Sequence, residues 1–126
     1  ELPGITCDPE LMRIVMVNLV NNAVKYGNQG GMVKLKAEKT SARRLKVSVW
    51  NEGPGFSGEE KIRLFKRFSR LDNPRLRDKK GSGIGLYLSW HIIQLHGGKI
   101  WAESEPGAWA CFSFEMPEGL DFCIID

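Results

Sequence analysis

Four short runs carry the residue types that could do chemistry, and they come in a fixed order. They are Asn18-Leu-Val-Asn-Asn22-Ala-Val-Lys25-Tyr26, Asn51-Glu-Gly53-Pro-Gly55, Leu64-Phe65-Lys-Arg67-Phe68 and Gly81-Ser82-Gly83-Ile84-Gly85-Leu86. Asn18 and Asn22 are four residues apart and share one helix face. An amide oxygen is a hard neutral ligand of the kind Mg²⁺ takes when it keeps waters and leans on phosphates. Asn51 ends a polar-apolar alternation and offers both a donor and an acceptor to a base edge. The glycines of the fourth run let backbone curl around phosphate, and the helix they open supplies free N–H groups and a partial positive charge. Together the runs describe one pocket for a metal, a base and phosphates.

Each run also has an ordinary use. An amide on an apolar stripe is costly unless it meets a polar partner, so Asn18 and Asn22 could simply bond backbone. Gly53-Pro54-Gly55 is a turn anywhere, or else a close approach of backbone to a base. Phe65 and Phe68 read first as core. Lys25 and Tyr26 suit a helix end without any ligand. The glycine run lacks the GK[ST] end of a P-loop and follows a loop rather than a strand, which argues against a dinucleotide fold.

The elements that must position these residues are legible. Asp8-Pro9-Glu10 opens a helix, Leu11, Ile14, Val15 and Leu19 recur along it, and Gly27 ends it near Lys25. Val33, Leu35 and Ala37, then Leu45, Val47 and Val49, alternate as a hairpin about a turn over residues 40–43. Asn51 shares the inward parity of the second strand. Ser57-Gly-Glu-Glu60 is a capping box for a second helix, with Ile62 and Phe65 inward. Residues 71–83 form a long loop, a length typical of lids. Ile84, Leu88, Ile92 and Leu95 give a third helix closed by Gly97-Gly98. Ile100, Ala102 and Ser104, then Ala108, Ala110, Phe112, Phe114 and Met116, form two further strands about Glu105-Pro-Gly107. The fold class is α/β: a two-layer sandwich, a mixed, mostly antiparallel sheet with three helices on one face.

The chain has 126 residues, a net charge of +3 and 42% hydrophobic residues. That fits one globular domain over 1–126, with no run long enough to span a membrane and no nucleic-acid charge pattern. It starts without Met, so it is expected to be a piece of a longer protein. Eight basic residues lie between Arg63 and Lys80, either a solvated face or an electropositive flap over phosphates. Cys7, Cys111 and Cys123 show no metal spacing and read as free thiols. His91 and His96 read as structural.

With these residues in view, the chain resembles the ATP-binding catalytic domain of two-component sensor histidine kinases. These belong to the superfamily that also holds gyrase and mismatch-repair ATPases. The runs correspond to that family's N, G1, F and G2 boxes, and the resemblance extends from about Cys7 to Pro117. It implies the Bergerat ATP-binding fold and the cofactors ATP and Mg²⁺, with Asn22 as metal ligand. It places Lys25 on a phosphate oxygen and Tyr26 against adenine or ribose. Arg67 is the basic residue of the F box, on nucleotide or fixing the lid. Arg70, Lys79 or Lys80 would reach the terminal phosphate, Arg70 being favoured for its planar fork, with Gly81, Ser82, Gly83, Gly85 and Leu86 around the phosphates. Hydrolysing relatives have Glu at the position of Asn18. An amide cannot act as a base, so transfer to another acceptor is expected over hydrolysis, with Asn18, Lys25 and Arg70 as the catalytic set.

The family usually has Asp at position 51. Asn51 keeps an acceptor but loses the charge, so base binding is expected to weaken by about 1–2 kcal/mol. Guanine and a degenerate pocket stay open. Trp109 stands where relatives often have Gly.

The resemblance further implies transfer of the γ-phosphoryl group to a His on a separate dimerisation domain of the same parent. A response-regulator receiver follows as the next acceptor. The expected location is cytoplasmic, with no nucleic acid and no membrane contact by this piece. A non-catalytic ATP/ADP-sensing module and a Ser/Thr kinase of the anti-sigma type are the alternatives.

Overall fold

The computed structural model describes residues 4–25, 27–41, 43–65 and 85–118. The elements run α1 (Pro9–Lys25), β1 (Val33–Lys39), β2 (Arg44–Glu52), α2 (Gly58–Arg63), α3 (Gly85–Leu95), β3 (Lys99–Glu105) and β4 (Trp109–Pro117). The strands form one sheet in the order β1-β2-β4-β3, and every described pairing is antiparallel. Two hairpins are thus joined by the central β2–β4 pair, which sets Asn51 opposite Ala110.

Local chemistry starts and stops the helices as expected. Asp8 Oδ1 accepts from the N–H groups of Glu10 (3.0 Å) and Leu11 (3.3 Å), capping α1. Ser57 Oγ accepts from the Glu60 N–H and Glu60 Oε1 from the Ser57 N–H, a complete capping box for α2. Gly97 has φ +75°, and the N–H groups of Gly97 and Gly98 bond the carbonyls of Gln94 and Ile93. That is a Schellman motif, with glycine in the left-handed position.

Packing then fixes the layers. A helix of α1's length is marginal alone; its hold comes from Val15, Leu19 and Ala23, all fully buried. α1 packs on α3 and on β2, and α3 packs on β3. Opposite them stand Val49, Ala102, Ala110, Phe112, Phe114 and Met116. Each large side chain buried this way contributes about 1.5–3 kcal/mol. α2 has no buried residue, but Leu64 just beyond it is buried and Phe65 packs against the core.

The other sheet face is open among the described residues. It carries half-buried Trp50, Trp101 and Trp109. Lys34 lies 5.0 Å from the Trp50 ring and Lys46 5.5 Å from the Trp101 ring.

Several inward assignments from periodicity need correction. Ile14 is 38% exposed, and Met12 takes the buried place on α1; the buried stripe runs 12, 15, 19, 23, which turns residue 14 to the flank. Ile62 is 71% exposed because α2 ends at Arg63, and Leu64 carries the burial instead. On α3, Leu95 is 69% exposed, while Ile92 and Ile93 are buried. Leu35 and Ala37 are exposed, since β1 is the sheet edge and neither α1 nor α3 packs on it. Ala108 lies in the β3–β4 turn, before β4 begins.

Candidate functional site

The site is built where α1, the start of α3 and the end of β2 converge. Asn18 is half-buried on α1. Its Nδ2 donates to the Gly85 carbonyl and to Ser89 Oγ, each at 3.3 Å. The cost of an amide on an apolar stripe is met by these partners on α3. The bond also ties the first helix to the end of the glycine run, so the structural use foreseen for Asn18 is realised between elements. An ideal Cβ on Gly85 would lie 3.7 Å from Asn18 Cγ, so the two helices are already in contact there.

Asn22 follows one turn later on the same face and is half-buried. No hydrogen bond to its side chain occurs among the described residues, so its amide oxygen is available to a ligand. No group of three His, Cys, Asp or Glu side chains suited to a metal occurs among the described residues. A cation here would rest on an amide oxygen with phosphates and waters, a set that suits Mg²⁺.

Asn51 is 2% exposed at the end of β2, on the helix side of the sheet, as its parity predicts. Its Nδ2 donates to the Glu52 carbonyl at 3.3 Å. Gly27 closes in from the end of α1: a Cβ there would lie 2.7 Å from the Ala23 carbonyl oxygen and 3.6 Å from Asn51 Nδ2. The absence of a side chain at Gly27 lets the chain leave α1 beside Asn51.

Gly53 and Gly55 are buried. The Gly53 N–H donates to the Ala108 carbonyl at 3.1 Å. Gly55 has φ +66°, and a Cβ there would lie 2.3 Å from Ser104 Oγ and 2.9 Å from the Trp109 carbonyl oxygen. The close approach made by Gly55 is therefore to the β3–β4 turn. Ser104 Oγ accepts from the Phe56 N–H (2.8 Å) and donates to the Trp109 carbonyl (2.9 Å). Trp109 fits without strain because its main chain serves that bond while its ring sits on the open face, 6.5 Å from Trp50.

Gly85 begins α3, and Leu86 is half-buried against the core. Lys25 is the last residue of α1. Tyr26, Arg67, Phe68, Arg70, Lys79, Lys80, Gly81, Ser82 and Gly83 lie outside the described residues, as does Cys123. The structure thus brings together Asn18, Asn22, Asn51, Gly53, Gly55 and Gly85 on the helix side of the sheet.

Sequence reasoning missed Ser89, Glu52 and Ser104 as partners. Ser89 is fully buried and falls four residues after Gly85, facing Asn18; a lone serine on the apolar stripe of α3 was the available signal. Both histidines are structural, as expected. His96 Nδ1 meets the Ile92 carbonyl at 2.8 Å and Nε2 accepts from the Asp8 N–H at 3.1 Å. His91 is exposed and stacks on Tyr87.

A family model for histidine kinase-, DNA gyrase B- and HSP90-like ATPases matches residues 7–120. The chain belongs to that ATPase family. Its relatives are sensor kinases. It is 41% identical over 117 residues to the adaptive-response sensory kinase SasA of Crocosphaera subtropica, covering 93% of this chain and 30% of that protein. It is also 41% identical over 118 residues to SasA of Parasynechococcus marenigrum, with the same coverage. The chain therefore spans about 30% of the length of these curated relatives. Among solved structures, it is similar to full-length ShkA in complex with AMPPNP, with TM-score 0.81 and 31% identity over 94% of this chain and 24% of that one. It also matches the nucleotide-free catalytic domain of the histidine kinase ThkA, with TM-score 0.75 and 33% identity over 91% of this chain and 71% of that one. No helix among the described residues is long and apolar enough to cross a membrane.

Proposed function

We propose that this chain is the ATP-binding catalytic domain of a sensor histidine kinase. Its task is to hold Mg²⁺-ATP for transfer of the γ-phosphoryl group to a histidine elsewhere in a cytoplasmic parent. The observation that carries this reading is the pair of bonds from Asn18 Nδ2 to Gly85 and Ser89. They join the amide helix to the glycine-run helix and commit residue 18 to donation.

A residue that donates at that position cannot take a proton from water. The pocket therefore preserves the phosphoryl group for an outside nucleophile. Asn22 would hold Mg²⁺ through its amide oxygen. The ion, when bound, neutralises charge on the phosphates. Asn51 would accept from the adenine amine at the floor of the pocket, and the α3 N-terminus at Gly85 would face the phosphates with free N–H groups. Lys25, Tyr26, Arg70, Lys79, Lys80 and residues 81–83 keep the roles that the family resemblance gives them. Catalysis would then be positioning and charge neutralisation. The acceptor imidazole forms the N–P bond, the bond from the γ-phosphorus to the bridging oxygen breaks, and ADP leaves.

The relatives' full length supports a parent with a His-bearing dimerisation domain and a response-regulator partner. The test is to incubate the full-length parent with γ-labelled ATP and Mg²⁺ and follow the label's acid stability. Acid-labile, base-stable label on the parent supports a histidine kinase. Acid-stable label on a partner serine would support the anti-sigma type of kinase, and rapid release of free phosphate would contradict the role given to Asn18.

A further inference from the structure

Glu52 is bound on three sides to the turn that follows α1. Its N–H donates to the Met32 carbonyl at 3.0 Å, its Oε1 accepts from the Met32 N–H at 2.7 Å, and its carbonyl accepts from the Asn28 N–H at 2.8 Å. The same carbonyl accepts from Asn51 Nδ2 at 3.3 Å. Asn51 is almost wholly buried. Turning its amide over would set Oδ1 against the Glu52 carbonyl oxygen, two acceptors facing each other with no hydrogen between them. In a buried site that arrangement forfeits a hydrogen bond and leaves the carbonyl short of a partner. The amide therefore has one orientation, with Nδ2 spent on Glu52 and Oδ1 turned away from it.

We infer that Glu52 is a positioning residue that makes the neutral Asn51 an acceptor-only base reader, so that the pocket takes 6-amino purines and refuses 6-oxo purines. The inference rests on the nucleotide-binding reading above. An aspartate needs no such control, since both of its oxygens accept. An amide does, because its two ends have opposite hydrogen-bonding character. The Glu52 side chain acts at one remove: its bond to Met32 fixes the strand end that carries the orienting carbonyl.

The test is calorimetric titration of this chain with ATP, ITP and GTP in Mg²⁺. One neutral hydrogen bond against a pair of facing acceptors predicts ATP binding about tenfold or more tighter than ITP. Equal affinity for ATP and ITP overturns the inference and leaves the nucleotide reading standing. Binding of none of the three overturns that reading and the inference with it. Glu52→Ala should lower the ATP-to-ITP ratio toward one, while Glu52→Gln, which keeps an oxygen for Met32, restores it. A parallel loss of ATP and ITP affinity with an unchanged ratio would reduce Glu52 to a structural residue and overturn the assignment. In an Asn51→Asp background the ratio should no longer respond to Glu52→Ala; a response there counts against the inference. Should Glu52→Ala fail to fold, the wild-type ratio alone decides.

Discussion

The Asn18 amide nitrogen on α1 donates to the Ser89 hydroxyl on α3 at 3.3 Å, and to the Gly85 carbonyl at the same distance. Two elements separated by much of the chain are thereby locked at the point where the glycine run enters its helix. Ser89 is fully buried, so its hydroxyl depends on this contact. Ser89→Ala should cost about 1 kcal/mol, the net worth of a neutral hydrogen bond, and Asn18→Ala about 1–3 kcal/mol, because buried partners lose their donor. Urea unfolding of the two single variants and the double variant checks this. A double-mutant coupling near zero would show that the pair is not a working contact.

Asn18→Asp should be worse than Asn18→Ala. A carboxylate at that position sets acceptor oxygens against the Gly85 carbonyl, where Asn18 now donates. The expected outcome is a lower urea midpoint than for the alanine variant, with no gain in ATP hydrolysis. A stable, strongly hydrolysing variant would contradict the account of why this position carries an amide.

Gly55 and Gly107 give a controlled comparison. Both have positive φ, +66° and +83°, but a Cβ on Gly55 would strike Ser104 and Trp109, whereas a Cβ on Gly107 would meet nothing within 4 Å. Alanine at 107 should cost only the backbone strain, about 1–2 kcal/mol. Alanine at 55 adds a clash and should cost more than that, with loss of the loop that follows Asn51. Thermal unfolding of the two variants tests the order; equal losses would mean that the approach of Gly55 to the β3–β4 turn is not tight.

His96 joins the end of α3 to the start of α1. Its two ring nitrogens meet the Ile92 carbonyl and the Asp8 N–H, and Asp8 in turn caps α1. His96→Ala should cost about 1–2 kcal/mol through the two lost bonds. It should raise amide exchange in the first turn of α1. Unchanged exchange there would show that the link does not hold the helix start.

Burial raises the Cys111 thiol above its ordinary pKa; the Ser113 hydroxyl opposes this, Glu103 adds to it, and Lys46 and Ser48 lower it. A raised folded-state pKa means that the folded chain holds the proton more tightly than the unfolded chain. The linked stability is present below the unfolded thiol pKa and is lost as pH rises through the folded value. Alkylation of Cys111, followed by peptide mass mapping, should therefore turn on at higher pH in the native chain than in urea. The same onset in both states would contradict the burial effect.

What was legible in the sequence was local. Asp8-Pro9, Ser57 to Glu60 and Gly97-Gly98 announced their helix ends because each satisfies its own backbone within a few residues. Asn51 was placed inward by strand parity alone. The partnerships of Asn18 with Ser89, of Asn51 with Glu52 and of Gly55 with Ser104 were not legible, because none follows from spacing; each depends on side-chain and backbone geometry at the converging ends of elements. Ile14, Ile62, Leu35 and Leu95 were placed inward by period, and the structure leaves them exposed. Period says which residues share a face, but not where a neighbouring element stops covering it.

The most direct test of the account is calorimetric titration of this chain with ATP in Mg²⁺ and then in excess chelator, for the wild type and Asn22→Ala. The account predicts saturable binding by the wild type that weakens when Mg²⁺ is removed, and Asn22→Ala binding that is weak with or without the ion. No heat of binding at millimolar ATP, or an Asn22→Ala variant that keeps the full Mg²⁺ dependence, would contradict it.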